Sequence, residues 1–160
     1  AAEAAWQDLA VTYRLPLHIF RLAGIYGPGR NVLVQAATGQ ARRIIKPGHQ
    51  FSRIHVDDIV AVLEASMAKP NAGAIYNVCD DEPAAPAEVT TFACSLLGID
   101  PPDEVSFEEA AKTMSLMGRT FWEDNRRVRN NRIKNELGVR LTYPTYREGL
   151  RAIYDADFSS

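Results

Sequence analysis

Residues 16–30 read Pro16-Leu17-His18-Ile19-Phe20-Arg21-Leu22-Ala23-Gly24-Ile25-Tyr26-Gly27-Pro28-Gly29-Arg30, and their order decides the fold class. Leu17–Ala23 is short, apolar and preceded by proline, so a buried strand is expected there. Gly24–Arg30 holds three glycines and a proline in seven residues, which predicts a shaped loop. Asn31 then stands where it can cap a short helix running to about Thr38, and Gly39 stops it. Ahead of the strand, Ala1–Val11 reads as helix from its first residue, with no capping Ser, Thr, Asp or Asn before it. Ala1 is therefore expected to be a cut end.

The same alternation continues toward the C-terminus. Arg43–Lys46 is expected to be a strand and Pro47-Gly48 a turn. Phe51–Val56 is expected to be a strand that runs into a helix, with Asp57 and Asp58 capping it and complementing its dipole. Val56, Ile59, Val60, Leu63 and Met67 form one apolar stripe on that helix. Ala74–Cys79 is the next strand. Pro86 can open a helix and Gly98 close it, with Val89, Phe92, Ala93, Leu96 and Leu97 as its stripe. Asp100–Asp103 reads as a rigid loop, and Ser106 with Glu109 as a capping box. Residues 112–125 carry little pattern. Asn131–Gly138 is a short helix with a glycine stop. Thr145 with Glu148 opens a last helix through Tyr154, with Leu150 and Ile153 inward. Strands alternating with helices predict an α/β or α+β fold, and the short proline-rich connections predict one domain over 1–160.

Composition narrows the function. The chain has 160 residues, 46% hydrophobic and 24% charged, as an ordinary globular domain does. A net charge of -2 gives no whole-chain sign of a nucleic-acid or membrane partner. Two cysteines, Cys79 and Cys94, are too few for a disulfide framework, and a cytoplasmic location with reduced thiols is expected. His18, His49 and His55 with the cysteines lack metal-ligand spacing, so no metal is expected. The basic run Arg126, Arg127, Arg129, Arg132 and Lys134 has acidic flanks at Glu123, Asp124 and Glu136. It reads as a solvated face or a clamp on a phosphorylated ligand rather than a nucleic-acid surface.

Four segments carry a resemblance: Arg21–Arg30, Phe51–Val60, Ala74–Val78, and Asn131–Ile133 leading to Glu136-Leu137-Gly138. In this order and at this spacing the chain resembles the extended and atypical short-chain dehydrogenase/reductases, the NAD-dependent epimerase/dehydratases. The resemblance implies the C-terminal part of a Rossmann-like parallel sheet plus a small α+β substrate-binding lobe. It also implies that the dinucleotide-binding half, with its glycine-rich loop and Tyr-x-x-x-Lys pair, lies before Ala1. This sequence has neither G-x-G-x-x-G nor Tyr-x-x-x-Lys. Gly24, Gly27 and Gly29 do give G-x-x-G-x-G after a strand. Pro28 removes an N–H and no ribose-binding acid follows, so a turn into the substrate lobe is the better reading than a phosphate loop. No catalytic residue is expected on this chain.

By the same resemblance, Leu22 and Ala23 would line the carboxamide side of NAD or NADP, or else be plain core. Gly24 stands where relatives that use nucleotide-sugars carry a substrate-anchoring Asn, and Phe51 where they often carry a phosphate-holding Arg. Loss of both anchors points to a smaller or less charged substrate. Tyr26 would sit at the cleft mouth, or else pack on the sheet end. Arg30 is a candidate for an anionic group. Of Arg53 and His55, on one strand face, one would face the cleft. The expected function is the substrate-binding half of an NAD(P)-dependent epimerase, dehydratase or reductase acting on a sugar-nucleotide-like or smaller hydroxy or carbonyl substrate, with no tight cofactor binding by this chain alone. The alternative is a stand-alone binding or interaction module. Strand 17–22 would then lie at an open sheet edge, so a homodimer through that edge, through helix 1–12, or both is expected.

Overall fold

In this computed structural model residues 2–123, 125 and 127–159 are described. In chain order the elements begin with α1 (Ala2–Tyr13), β1 (Ile19–Leu22), β2 (Gly24–Tyr26), α2 (Val32–Ala37), β3 (Arg43–Ile45), β4 (Arg53–His55) and α3 (Val56–Ala68). They continue with β5 (Ile75–Val78), α4 (Pro86–Leu97), β6 (Glu104–Ser106), α5 (Phe107–Ala111), α6 (Leu116–Glu123), α7 (Asn131–Asn135) and α8 (Tyr146–Asp157). The strands form three parallel pairs, β1 with β5, β2 with β4, and β3 with β6. Ile19 lies opposite Ile75, Tyr26 opposite His55, and Arg43 opposite Glu104. Parallel pairs joined through helices are the α/β pattern that the sequence predicts.

Side chains of three clusters hold the pairs together. Tyr26, Leu33, Val89, Ala93, Tyr146, Leu150 and Ile153 join β2 to α2, α4 and α8. Ile54, Val62, Tyr76, Val78, Ile133 and Leu137 join β4 and β5 to α3 and α7. Ile44, Phe51, Ala110 and Trp122 form the third. Burying a side chain of this kind stabilises by about 1.5–3 kcal/mol.

The helix ends form for the reasons the sequence suggests. The Asn31 side chain accepts the Val34 N–H at 3.1 Å, and Gly98 takes a left-handed φ of 67° after α4. Thr145 and Glu148 complete a reciprocal capping box on α8. Ser106 accepts the Glu109 N–H at 3.2 Å.

Five expectations are corrected. Gly24–Tyr26 is a strand, not loop, because its backbone pairs with β4; the turn is only Gly27–Arg30, closed by reciprocal backbone bonds of 3.1 Å. β1 is not a buried strand: it pairs on one side only, and Leu22 is 45% exposed. β6 forms within a stretch read as loop and cap, because β3 offers it an edge. Residues 112–125, which show little pattern, include α6.

The fifth correction concerns α3. The two aspartates do not cap it. His55 does, its Nδ1 accepting the Asp57 N–H at 3.2 Å. Asp58 is fully buried and instead accepts the backbone N–H groups of Thr142 at 2.7 Å and Tyr143 at 3.0 Å. Val62 and Ser66 turn inward with it. Of the stripe read from the sequence, Val56, Val60, Leu63 and Met67 face outward, and Met67 is 71% exposed.

Candidate active-site cleft

The chain changes sheet at one peptide. The Ala23 N–H donates to the Val78 carbonyl of β5 at 3.0 Å, and the Gly24 N–H to the Ser52 carbonyl just before β4 at 3.2 Å. In open α/β sheets, ligands bind outside the carboxyl ends of strands, where the connections part. Leu22 and Ala23 lie at that point. The exposed Leu22 side chain offers apolar surface there, while Ala23 is partly buried. No residue of the chain supplies the glycine-rich phosphate loop that a dinucleotide needs. Gly24 has room for a side chain: a Cβ there meets only Ser52 O at 3.5 Å and Arg53 Cγ at 3.9 Å.

Behind the switch lies a buried polar cluster drawn from the ends of β2, β4 and β5. The Tyr26 ring meets the His55 ring edge to face, centroids 5.2 Å apart, and Tyr143 covers His55 at 4.1 Å. Because His55 Nδ1 accepts from Asp57, its proton sits on Nε2. That Nε2 and the Tyr26 hydroxyl are buried without a hydrogen-bond partner among the described residues. Burial lowers the His55 pKa, against the opposing pull of Asp57 and Asp58. Burial raises that of Tyr26, and the charge of Asp80 raises it further.

Asp80 is the least expected member. It is 2% exposed, its carboxylate oxygens are sealed from solvent, and the Arg53 charge and the backbone N–H groups of Arg53 and Glu82 act on them. Burial pushes its pKa up to about 7, although the Arg53 charge pulls the other way. Its N–H donates to the Arg53 carbonyl at 2.7 Å. Arg53 is itself anchored, donating from Nη1 to the Phe51 carbonyl at 2.9 Å and the Ala84 carbonyl at 3.0 Å. Asp80 borders a cavity of about 520 Å³ that is also lined by Asp81, Pro83, Arg127, Arg129, Asn130 and Asn131.

The structure thus brings together some of the residues singled out in the sequence. Arg53 and His55 both belong to the cluster. Tyr26, 8% exposed, packs in the core on the sheet end. Arg30 is exposed in the turn, its backbone tied to Gly27. Phe51, where an arginine would hold phosphate, packs against His49 and Trp122 at 4.6 and 5.3 Å. Of the basic run, Arg126 lies outside the described residues. Arg132 is paired with Glu136 at 2.6 Å and Lys134 with Asp81 at 2.5 Å. Asp80 escaped the sequence reading; its signal was an acid directly following a strand with no helix for it to cap. Among the described residues no group of three or more His, Cys, Asp or Glu could hold a metal ion, and no helix is long and apolar enough to cross a membrane.

No protein-family model matches the chain. Protein YeeZ of Escherichia coli (strain K12) is 30% identical over 129 residues, 79% of this chain and 40% of YeeZ. The 3-diazoavenalumate denitrifying reductase of a Streptomyces species is 28% identical over 155 residues, 93% of this chain and 51% of the reductase. Among solved structures, a functionally unknown conserved protein from Silicibacter pomeroyi DSS matches with a TM-score of 0.85 and 55% identity, over 96% of this chain and 53% of that one. The dTDP-glucose 4,6-dehydratase of Bacillus anthracis, in complex with NAD, matches with a TM-score of 0.73 at 20% identity, over 98% of this chain and 50% of that one. A human epimerase family protein with NADPH matches with a TM-score of 0.72 at 17% identity, over 86% of this chain and 48% of that one. The last two likenesses concern the fold alone. The chain spans about half the length of the relatives it matches. It carries the fold of the NAD-dependent epimerase/dehydratases of the short-chain dehydrogenase/reductase family, over about half of a member's length.

Proposed function

We propose that this chain is the substrate-binding half of an NAD(P)-dependent epimerase, dehydratase or reductase and performs no turnover by itself. One observation carries the reading: a helix, a strand edge and a helix face are all left without cover. α1 buries none of its residues and exposes Trp6, Leu9, Val11 and Tyr13. It is tied to β1 by the Arg21–Glu3 ion pair at 2.6 Å. β1 has an open edge, and α3 turns Val60, Leu63 and Met67 outward. Isolated short helices are marginal in water, and an apolar strand edge is a liability unless paired. A covering half accords with the length of the relatives: the S. pomeroyi protein extends well beyond the 53% matched here.

On this reading the other half brings the dinucleotide, whose nicotinamide supplies the hydride transfer. The present residues bind and orient the substrate and keep water from it. Leu22 and Ala23 would hold the nicotinamide side of the cofactor, and the cluster around Arg53 would orient the substrate. When isolated, the chain pairs through the uncovered surface as a homodimer.

Calorimetric titration of NAD and NADPH into the full-length protein and into the 160-residue chain tests the reading. Binding by the full-length protein alone is expected. Equal binding by the isolated chain, or no dinucleotide binding by the full-length protein, overturns it.

A further inference from the structure

We infer that Arg53 and the bare backbone at Gly24 form a carboxylate subsite at the sheet switch, so that the substrate of this half is a carboxylic acid seated against β2. The inference deepens the proposed function and rests on it. Two independent observations meet at this place. The first is the condition of Arg53. The residue is partly buried, and burial holds its pKa below the usual guanidinium value even though the charge of Asp80 supports it. It joins no ion pair among the described residues. Withdrawing a cation from water is costly unless an acid pairs with it, so a charge kept here points to an acid that arrives with the ligand.

The hydrogen bonds of Arg53 select that acid. Nη1 donates to the Phe51 carbonyl at 2.9 Å and to the Ala84 carbonyl at 3.0 Å, which uses both of its protons. Nε and Nη2 have no partner among the described residues, and neither is sealed from solvent. Together they make one edge of the guanidinium, with two parallel N–H groups spaced for the two oxygens of a carboxylate. Two backbone carbonyls already fix the head, so little side-chain freedom is lost when that edge is occupied. Phe51, whose carbonyl anchors the head, is itself packed among aromatic rings and adds no cation. One fork answers one singly charged carboxylate, not a diphosphate.

The second observation is Gly24, which lies directly opposite Arg53 in the register of β2 and β4. A glycine weakens a strand, and where one stands it often marks the close approach of a ligand or another backbone. The other reasons for glycine do not apply. Gly24 is not among the glycines of positive φ, and a Cβ there would make only ordinary contacts, with Ser52 O at 3.5 Å and Arg53 Cγ at 3.9 Å. The residue is exposed, and it sits at the peptide where the chain passes from β5 to β4, the kind of place where open α/β sheets seat ligands. The arginine stem runs from this space to the fork, so a body lying over Gly24 brings its carboxylate to Nε and Nη2.

The experiment is an NMR titration of the full-length protein, isotope-labelled at arginine, following the Arg53 Nε–H signal. The probes are benzoate, its neutral isostere benzamide, phenyl phosphate and UDP-glucose, with NAD titrated into the same samples. Benzoate is expected to shift that signal saturably and to bind about tenfold or more tightly than benzamide. Arg53→Lys keeps the charge but loses the fork, and Gly24→Val fills the space without touching the guanidinium; each should weaken benzoate by about tenfold or more. The inference is overturned if benzoate does not bind, if benzamide binds as well as benzoate, if phenyl phosphate or UDP-glucose binds more tightly, or if both variants bind benzoate as the parent does. Should Arg53→Lys fail to fold, Gly24→Val decides the test. Benzoate binding without NAD binding would remove the dinucleotide reading and leave the subsite standing; NAD binding without benzoate binding would do the reverse.

Discussion

Tyr26 of β2 lies where a side chain on Gly149 of α8 would be: a Cβ at 149 would come within 2.8 Å of the Tyr26 ring carbons. Glycine inside a helix ordinarily costs about 1 kcal/mol relative to alanine. Here the contact outweighs that preference. Gly149→Ala is expected to destabilise the protein by about 1–3 kcal/mol through overpacking. Combining it with Tyr26→Leu should recover part of the loss. Urea unfolding of the two single variants and the double variant measures the coupling, and additive losses would show that the two residues do not share this space.

Asp58 joins two segments 84 and 85 residues apart through the N–H groups of Thr142 and Tyr143. Removing it leaves two donors unsatisfied in a buried place. Asp58→Ala is expected to cost about 3–5 kcal/mol, and Asp58→Asn less, because the amide still accepts one bond. Hydrogen exchange at the two amides should rise in both variants before any global change.

The pH profile of stability has two limbs with different owners. Burial pushes the folded-state pKa of Asp80 from 3.8 up to about 7. The folded state therefore holds this proton more tightly than the unfolded chain, and stability falls as pH rises from about 4 to about 7. Burial lowers the folded-state pKa of both His49 and His55 below 6.5. Their contribution is present above that value and is lost as pH falls below it. Asp80→Asn is expected to flatten the upper limb and add roughly 2–4 kcal/mol at pH 8. Thermal unfolding from pH 4 to 9 checks this. An upper limb that survives in Asp80→Asn would assign it to another group.

The uncovered face predicts behaviour in solution. The isolated 160-residue chain is expected to associate at high concentration, and Val60→Lys with Met67→Lys should weaken the association without loss of helix content. Sedimentation velocity distinguishes the cases. A parent chain that stays monomeric throughout would contradict it.

Much of the fold was legible because it is written locally. Asn31, Gly98 and the Thr145–Glu148 box act within four residues of themselves, and each ends or starts a helix as read. What escaped depends on distant partners. Gly24–Tyr26 looks like loop until β4 lies beside it, and Glu104–Ser106 is too short to read without β3. Asp58 has the sequence position of a cap but answers to residues near 142. The apolar stripe on α3 was correctly seen, yet periodicity does not say what an apolar face meets. Of the cleft, Arg53 and His55 were visible from their strand, whereas the burial of Asp80 depends on the packing of β5 against the segment from 127 to 131.

The single peptide between Ala23 and Gly24, where the chain leaves β5 for β4, has a mechanical meaning. The two strand pairs are welded there, with one backbone bond on each side. The Asp80 N–H, which donates to the Arg53 carbonyl at 2.7 Å, and the packing of Ile54 against Tyr76 and Val78 tie the same two pairs again, so they move as one plate rather than as two leaves.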